Sequence, residues 1–338
     1  MAAAASRTQG LKNRLADADA KLRPVLTFIN GDVSWLVSFP RPAAEQSERG
    51  KVYYHAVIDP WFGKPAVSGS SYLLVMNLGR DPGFSSRAAL DAAIVEIEAA
   101  AGNTLAPTDA APAVDVILVN GIQTDHCHKP SLVEFAAATP VFATGMAAKS
   151  IASWRHFSTV AELSPCDPSK TSWKDAHPGA PLPAWLTVFP PTVSRLNNFG
   201  LALITSANSS GDELILMAPH GIGADESSIK GLVATTQPPV KMLALVAPLK
   251  NSYTLGIKTV LGVEEGLAIV HEAGNPYYVR SGDLVSLNYG GLMSYVLRDE
   301  PRDLQWGIDV LSKTLGPGKA IAKPKMVEVE NGGSFLLA

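Results

Sequence analysis

Between Val114 and Asn120 the chain reads VDVILVN, whose centre is a short continuous run of β-branched and aliphatic residues closed on both sides by turn formers. A strand that is apolar at successive positions has both faces covered, so it lies inside a sheet with helices packed on it. The surrounding sequence keeps that rhythm. SSRAALDAAIVEIEAAAG places Leu90, Ile94 and Ile97 at helical spacing, with Ser85 or Ser86 as N-cap and Gly102 as stop. Downstream, PSLVEFA predicts a helix, PVFAT a strand and GMAAKSIASW a helix, followed by a Pro-rich connector from Pro165 to Pro191. Strand and helix in alternation predict an α/β fold.

Upstream, VLTFI is the first expected strand, and VSWLVSF and VYYHAVI form an expected antiparallel pair across the loop PRPAAEQSERG. The second of these stops at DPWFGKP, which is turn chemistry at a strand end. In the C-terminal half, FGLALITSA and DELILMAP predict a hairpin around NSSGD, and VKMLALVAP repeats the buried-strand pattern. TVLGVEEGLAIVHEA reads as a helix leading towards a further strand end, and YYVRSGDLVSL follows it. Residues 1–22 read as a polar, loose arm. With no internal repeat and no low-complexity linker, residues 23–338 are expected to form a single domain.

Composition removes several classes of function. Apolar residues make up 46% of the chain against 17% charged, the balance of a folded protein with a sizeable core. A formal charge of -3, with no Lys/Arg cluster interleaved with aromatics, argues against nucleic acid as a partner. No apolar run reaches the ~20 residues that span a bilayer, and MAAAASRTQG lacks the apolar run of a secretory signal. Two cysteines, Cys127 and Cys166, give neither a disulfide framework nor a Cys-x-x-Cys spacing. A cytoplasmic location is expected by elimination, and a homo-oligomer stays open.

The chemistry gathers where apolar runs end. TDHCH follows VDVILVN, so Asp125 and His126 sit on a loop just past a buried strand, with Gly121 expected to permit the sharp turn that aims both at one point. LILMAPHGIG leaves His220 after another run, and LAIVHEAG leaves His271 after a third. One carboxylate and three imidazoles form a donor set for a single divalent ion, with zinc, iron or manganese acceptable and zinc first among them. The same groups brace a loop without any ion if they hydrogen-bond one another. Gln123, Trp61, Phe62 and Tyr277 are candidates for lining a cleft above this cluster.

Other residues read more plainly. His128 suits a helix entry beside Pro130, His55 a sheet face, and His156 and His177 carry no expected chemistry. Cys127 reads as a small buried filler rather than a nucleophile. SGSS, Ser68–Ser71, is a turn and not a phosphate loop, because no glycine-lysine-serine sequence follows.

The order of DVSWLVSF, YYHAVIDPWFG, VDVILVNGIQTDHCHKPSL, LMAPHG and VHEAG resembles the metallo-β-lactamase fold superfamily in a degenerate, fungal-like form. The resemblance spans about Val25 to Leu287 and implies an αββα sandwich of two mixed sheets with helices outside. Where the family's loop reads His-x-His-x-Asp-His, this chain has Gly121, Ile122, Gln123, Thr124, Asp125 and His126. Both histidines of the first pair are gone, and no histidine follows the strand WLTVF, so the resemblance implies loss of the family's first metal site. Asp125 and His126 match its second site, His271 matches its last histidine, and His220 falls where the family places a bridging aspartate.

Three functions follow from that degeneracy. One is a non-hydrolytic enzyme of secondary metabolism that cyclises or isomerises a small apolar molecule by positioning, with His126 and His271 in acid/base roles, Asp125 orienting His126, and no metal. Another is a mononuclear hydrolase of a lactone, ester or thioester that uses Asp125, His126, His220 and His271. The last is a non-catalytic binding protein on an inactive enzyme fold.

Overall fold

The structure, a computed structural model, describes residues 10–11, 13–15, 17, 19–106, 108, 111–194, 199–207, 211–316, 321 and 323–338. It is a mixed α/β protein whose chain divides into two compact units. The first comprises Met1–Ala66, Asn77–Glu162 and Val329–Ala338, and the second Val67–Met76 and Leu163–Glu328.

The first unit is built on strands β1 (Val25–Phe28), β2 (Trp35–Pro40) and β3 (Tyr53–Ile58), then, past the short strands β4 (Ala66–Ser68) and β5 (Leu74–Leu78), β6 (Val116–Val119), β7 (Val141–Thr144) and β8 (Val160–Leu163). Strand β19 (Ser334–Leu336) completes a seven-stranded sheet in the order β19-β1-β2-β3-β6-β7-β8. Strands β2 and β3 pair antiparallel from Trp35↔Ile58 to Pro40↔Tyr53, as the two β-rich runs predict. Their connection also holds a helix, Ala43–Arg49, closed by Gly50 at φ 62. Strands β3, β6 and β7 run parallel, so β6 is covered on both faces and buried at every position.

The helix Arg87–Ala100 covers this sheet, its Ser86 hydroxyl accepting from Ala89 N–H as the expected N-cap. Leu90, Ile94 and Ile97 are buried in one core with Val57, Ile117 and Val119 of the strands. Burial of each such side chain is worth about 1.5–3 kcal/mol. The PSLVEFA helix is a single turn, Lys129–Leu132. Past it, Glu134 and Phe135 N–H groups bond carbonyls three residues back, a tighter winding that turns Phe135 into the core. The N-terminal arm departs from the expectation of looseness. Residues 1–9, 12, 16 and 18 lie outside the described residues, but Leu11 and Leu15, one helical turn apart, are buried in the first unit's core.

In the second unit β9 (Leu186–Phe189), β10 (Leu201–Thr205), β11 (Glu213–Met217) and β12 (Lys241–Ala247) lie beside β15 (Tyr277–Arg280) and β18 (Lys325–Val327), in the order β18-β15-β12-β11-β10-β9. The expected β10–β11 hairpin is present, with 208–210 of its turn outside the described residues. Strands β11, β12, β15 and β18 are parallel. The helix Val263–Glu272 packs on this sheet and against the helix Leu304–Leu315, where Gly307 lies so close to Val263 and Leu267 that a Cβ there would meet their methyls at 2.7 and 2.8 Å. Two small sheets complete the unit, β14-β13-β17 from Ile257–Val260, Asn251–Thr254 and Leu297–Glu300, and β16-β5-β4 with β16 at Leu287–Gly290. Thr259 and Val260, at the head of the expected helix, belong instead to the strand Ile257–Val260, and the helix begins only at Val263. Among the described residues no helix is long and apolar enough to cross a membrane.

Candidate metal centre

Parallel pairing of β3 with β6 brings their C-terminal ends to one edge of the first unit's sheet, which is where α/β sheets place reactive groups. Asp59 follows β3 there, and Asn120 follows β6. Asp59 N–H donates to the Leu118 carbonyl at 3.0 Å, and Asn120 N–H donates to Asp59 Oδ1 at 2.7 Å. Asp59 has φ 47, a left-handed conformation that aspartate tolerates better than most residues. Ser34 Oγ fixes this backbone by donating to the Asp59 carbonyl at 2.5 Å while accepting from Trp61 N–H at 3.0 Å.

The other oxygen of Asp59, Oδ2, lies 2.7 Å from His126 Nδ1. That bond assigns the Nδ1 proton to the shared contact and turns Nε2 towards Asp125, whose Oδ2 is 3.6 Å away. The loop is wound by the Gln123 carbonyl, which accepts from His126 N–H at 3.0 Å and Cys127 N–H at 2.7 Å. Gly121 is not among the residues with positive φ, so the expected glycine hinge is replaced by this carbonyl clasp.

Asp59 and His126 are fully buried and Asp125 is 4% exposed. Burial alone would strip the imidazole of its charge. The Asp125 carboxylate, the charge and hydrogen bond of Asp59, and the more distant Asp32 outweigh it and push His126 up to about 9. Burial also raises Asp59 against the opposing pull of His126 and of the Asn120 N–H, so the pair holds a proton at neutral pH. Burial, with the Asp59 charge, pushes the Cys127 thiol up to about 12, which makes it the unreactive filler its sequence context suggests.

In the second unit, His220 lies in the turn after β11. The Ala218 carbonyl accepts from Gly221 N–H at 2.8 Å, the His220 carbonyl accepts from Leu261 N–H at 2.9 Å, and the ring lies 4.9 Å from that of Phe199. Gly221 has φ 70, and a Cβ on it would stand 1.7 Å from the Leu261 carbonyl oxygen. This turn therefore requires glycine.

His271 corrects the sequence reading. It is not at a strand end but in the last turn of the helix Val263–Glu272, exposed, while Val263, Leu267 and Val270 take the buried face. Trp61 and Phe62 are likewise core residues. The Trp61 indole donates to the Lys64 carbonyl at 2.6 Å, and Phe62 lies 5.9 Å from Phe135. Tyr277 is half-buried on β15 with the Lys325 ammonium 5.4 Å from its ring centre.

The remaining histidines have local partners. His55 contacts Ser38 and Glu98, His128 bonds Ser131 Oγ at the entry of the helical turn Lys129–Leu132, and His156 and His177 reach the Phe135 and Pro183 carbonyls. Asp59 is the residue that sequence reasoning missed. Its signal is the Asp-Pro of DPWFGKP at a strand end, which turn chemistry alone also explains.

As chemistry, Asp125 and His126 supply a carboxylate and an imidazole side by side in the first unit, donors that a divalent ion accepts. The Asp59–His126 bond fits such a role, since histidines that ligate metals commonly give their second ring nitrogen to a carboxylate. Gly121 has no side chain to offer and Gln123 only a neutral amide.

No protein-family model matches the chain, and no curated protein matches it. Solved structures do. One is the crystal structure of a possible metal-dependent hydrolase from Veillonella parvula DSM 2008, similar over 93% of this chain and 99% of its own, with a TM-score of 0.53 at 10% identity. Another is an isothiocyanate hydrolase from Delia radicum gut bacteria, covering 92% and 98%, with a TM-score of 0.51 at 13% identity. The likeness is one of fold. It spans nearly the whole chain.

Proposed function

We propose that this protein is a mononuclear, metal-dependent hydrolase of a lactone, ester or thioester, with Asp125, His126 and His220 as the ligands of one divalent ion, zinc first among the candidates. The observation that carries the reading is the 2.7 Å contact between Asp59 and His126 Nδ1, which turns Nε2 towards Asp125. When bound, such an ion supplies Lewis-acid polarisation of a carbonyl oxygen. The chain's own residues do the rest. Asp59 fixes the ring and its tautomer, the Gln123 carbonyl holds the loop's winding, and the Gln123 amide is a donor for a substrate carbonyl. His271, on the exposed helix end, has no part in this set.

Cyclisation or isomerisation of an apolar metabolite is the weaker reading, because it draws on the absence of a first metal site alone, while the two similar structures named above carry hydrolase names. A binding role without catalysis has no specific observation in its favour. The test is a panel of lactone, ester and thioester substrates offered to the full chain before and after stripping with a chelator. Hydrolysis that disappears on stripping, returns with zinc or manganese, and fails to return in Asp125→Ala is expected. Turnover of any panel member that survives complete stripping would overturn the metal-dependent reading.

A further inference from the structure

Six of the eleven large apolar side chains that stand exposed among the described residues belong to three segments of the second unit: Tyr72, Leu73, Leu255, Ile257, Leu292 and Tyr295. Backbone bonds place these segments side by side. Leu292 and Met293 N–H groups donate to the Tyr72 and Leu73 carbonyls at 2.8 and 2.9 Å, and Leu255 N–H donates to the Val296 carbonyl at 3.1 Å. Ile257 pairs with Thr254 across the tip of the β13–β14 hairpin, next to Leu255. Tyr72 is 88% exposed, Tyr295 87%, and Leu255, Ile257 and Leu292 between 68 and 71%.

Together these six present on the order of 800 Å², since a fully exposed aromatic side chain alone offers roughly 200 Å². The largest apolar patch of an ordinary monomer is about 300–600 Å², whereas a standard interface takes about 800 Å² from each partner. The area thus matches one side of a stable dimer. The charge pattern points the same way. Residues 67–76 and 287–297 contain no charged residue, and between 251 and 258 only Lys258 is charged, its ammonium held by Glu264. Interface cores between identical subunits are depleted in charge and enriched in tyrosine. A membrane-docking face would carry a rim of free lysine and arginine, whereas the exposed Arg298 beside this face is paired with Glu300 and Lys258 with Glu264. The hairpin also ends in β14, an edge strand of its sheet, whose open backbone groups are self-complementary about a two-fold axis.

We infer that the face formed by Tyr72, Leu73, Leu255, Ile257, Leu292 and Tyr295 is a two-fold interface with a second copy of this chain. The inference is independent of the hydrolase reading. Sedimentation velocity of the full chain at 1–100 µM should show a species of twice 35.6 kDa. Tyr72→Glu and Tyr295→Glu should each weaken the dimer at least 100-fold, while Tyr295→Phe keeps it. Both positions are exposed, and circular dichroism checks that the variants fold. As a readout free of substitution, hydrogen exchange in peptides spanning 251–258 and 287–297 should slow as the protein is concentrated. A wild-type chain that stays at 35.6 kDa up to 100 µM, or a dimer indifferent to both glutamates with unchanged exchange in these peptides, would overturn the inference. So would a monomer that co-sediments with phosphatidylcholine vesicles through these tyrosines.

Discussion

Glu98→Gln tests whether a second constellation in the first unit is chemical or structural. Ser38 Oγ lies 2.9 Å from His55 Nδ1, and His55 Nε2 lies 3.0 Å from Glu98 Oε1, the order of groups found in serine hydrolases. All three side chains are fully buried, and Glu98 is saturated. It accepts Val52 N–H and Tyr53 N–H at 2.9 Å each and the Asn103 amide at 2.6 Å, tying the helix Arg87–Ala100 to β3. Burial alone would raise this carboxyl, but the bond and charge of His55, with the Asn103 and Val52 donors, overcome it and hold Glu98 down at about 2 against an ordinary 4.5. At 1.36 kcal/mol for each unit, this is roughly 3 kcal/mol of folding stability. Because the folded value is depressed, the contribution is complete above pH 4.5 and is lost as pH falls towards 2. Urea denaturation at pH 7 should show Glu98→Gln less stable by roughly 3 kcal/mol, and the gap should shrink to less than half near pH 3. A gap under about 1 kcal/mol at pH 7, or one that does not change with pH, would refute the structural assignment.

Two further outcomes follow from the site. Asp59→Asn removes the carboxylate that orients His126, and calorimetric titration should show divalent-ion affinity reduced about 10–100-fold, with unchanged affinity counting against the orienting role. Gly221→Ala forces a Cβ onto the Leu261 carbonyl at a positive φ, so thermal unfolding should report a loss of about 3 kcal/mol or more, and a loss under 1 kcal/mol would show that the His220 turn can relax.

The buried strands and amphipathic helices were legible because their signal is local. VILV at Val116–Val119 is apolar at every position, and Leu90, Ile94 and Ile97 repeat at the period of a helix. The strand-end positions of Asp125, His126 and His220 were legible for a related reason, since each follows a short apolar run bounded by turn formers. Asp59 was not. Its role depends on β3 and β6 being parallel neighbours, a pairing across long sequence separation that no short stretch encodes. His271 misled because a histidine closing an apolar run looks the same after a strand or a helix. The stripe Val263, Leu267 and Val270 turns it outward. Leu11 and Leu15 were overlooked inside a polar composition, although their i, i+4 spacing suffices to seat an arm on a core.

The most direct test of the metal centre is the ion content of the full chain at equilibrium. After stripping and dialysis against zinc or manganese, elemental analysis should find one ion per chain in the wild type and in His271→Ala, and none in Asp125→Ala, His126→Ala or His220→Ala. A chain that takes up no ion, or one whose uptake is indifferent to all three of those substitutions, would contradict the account.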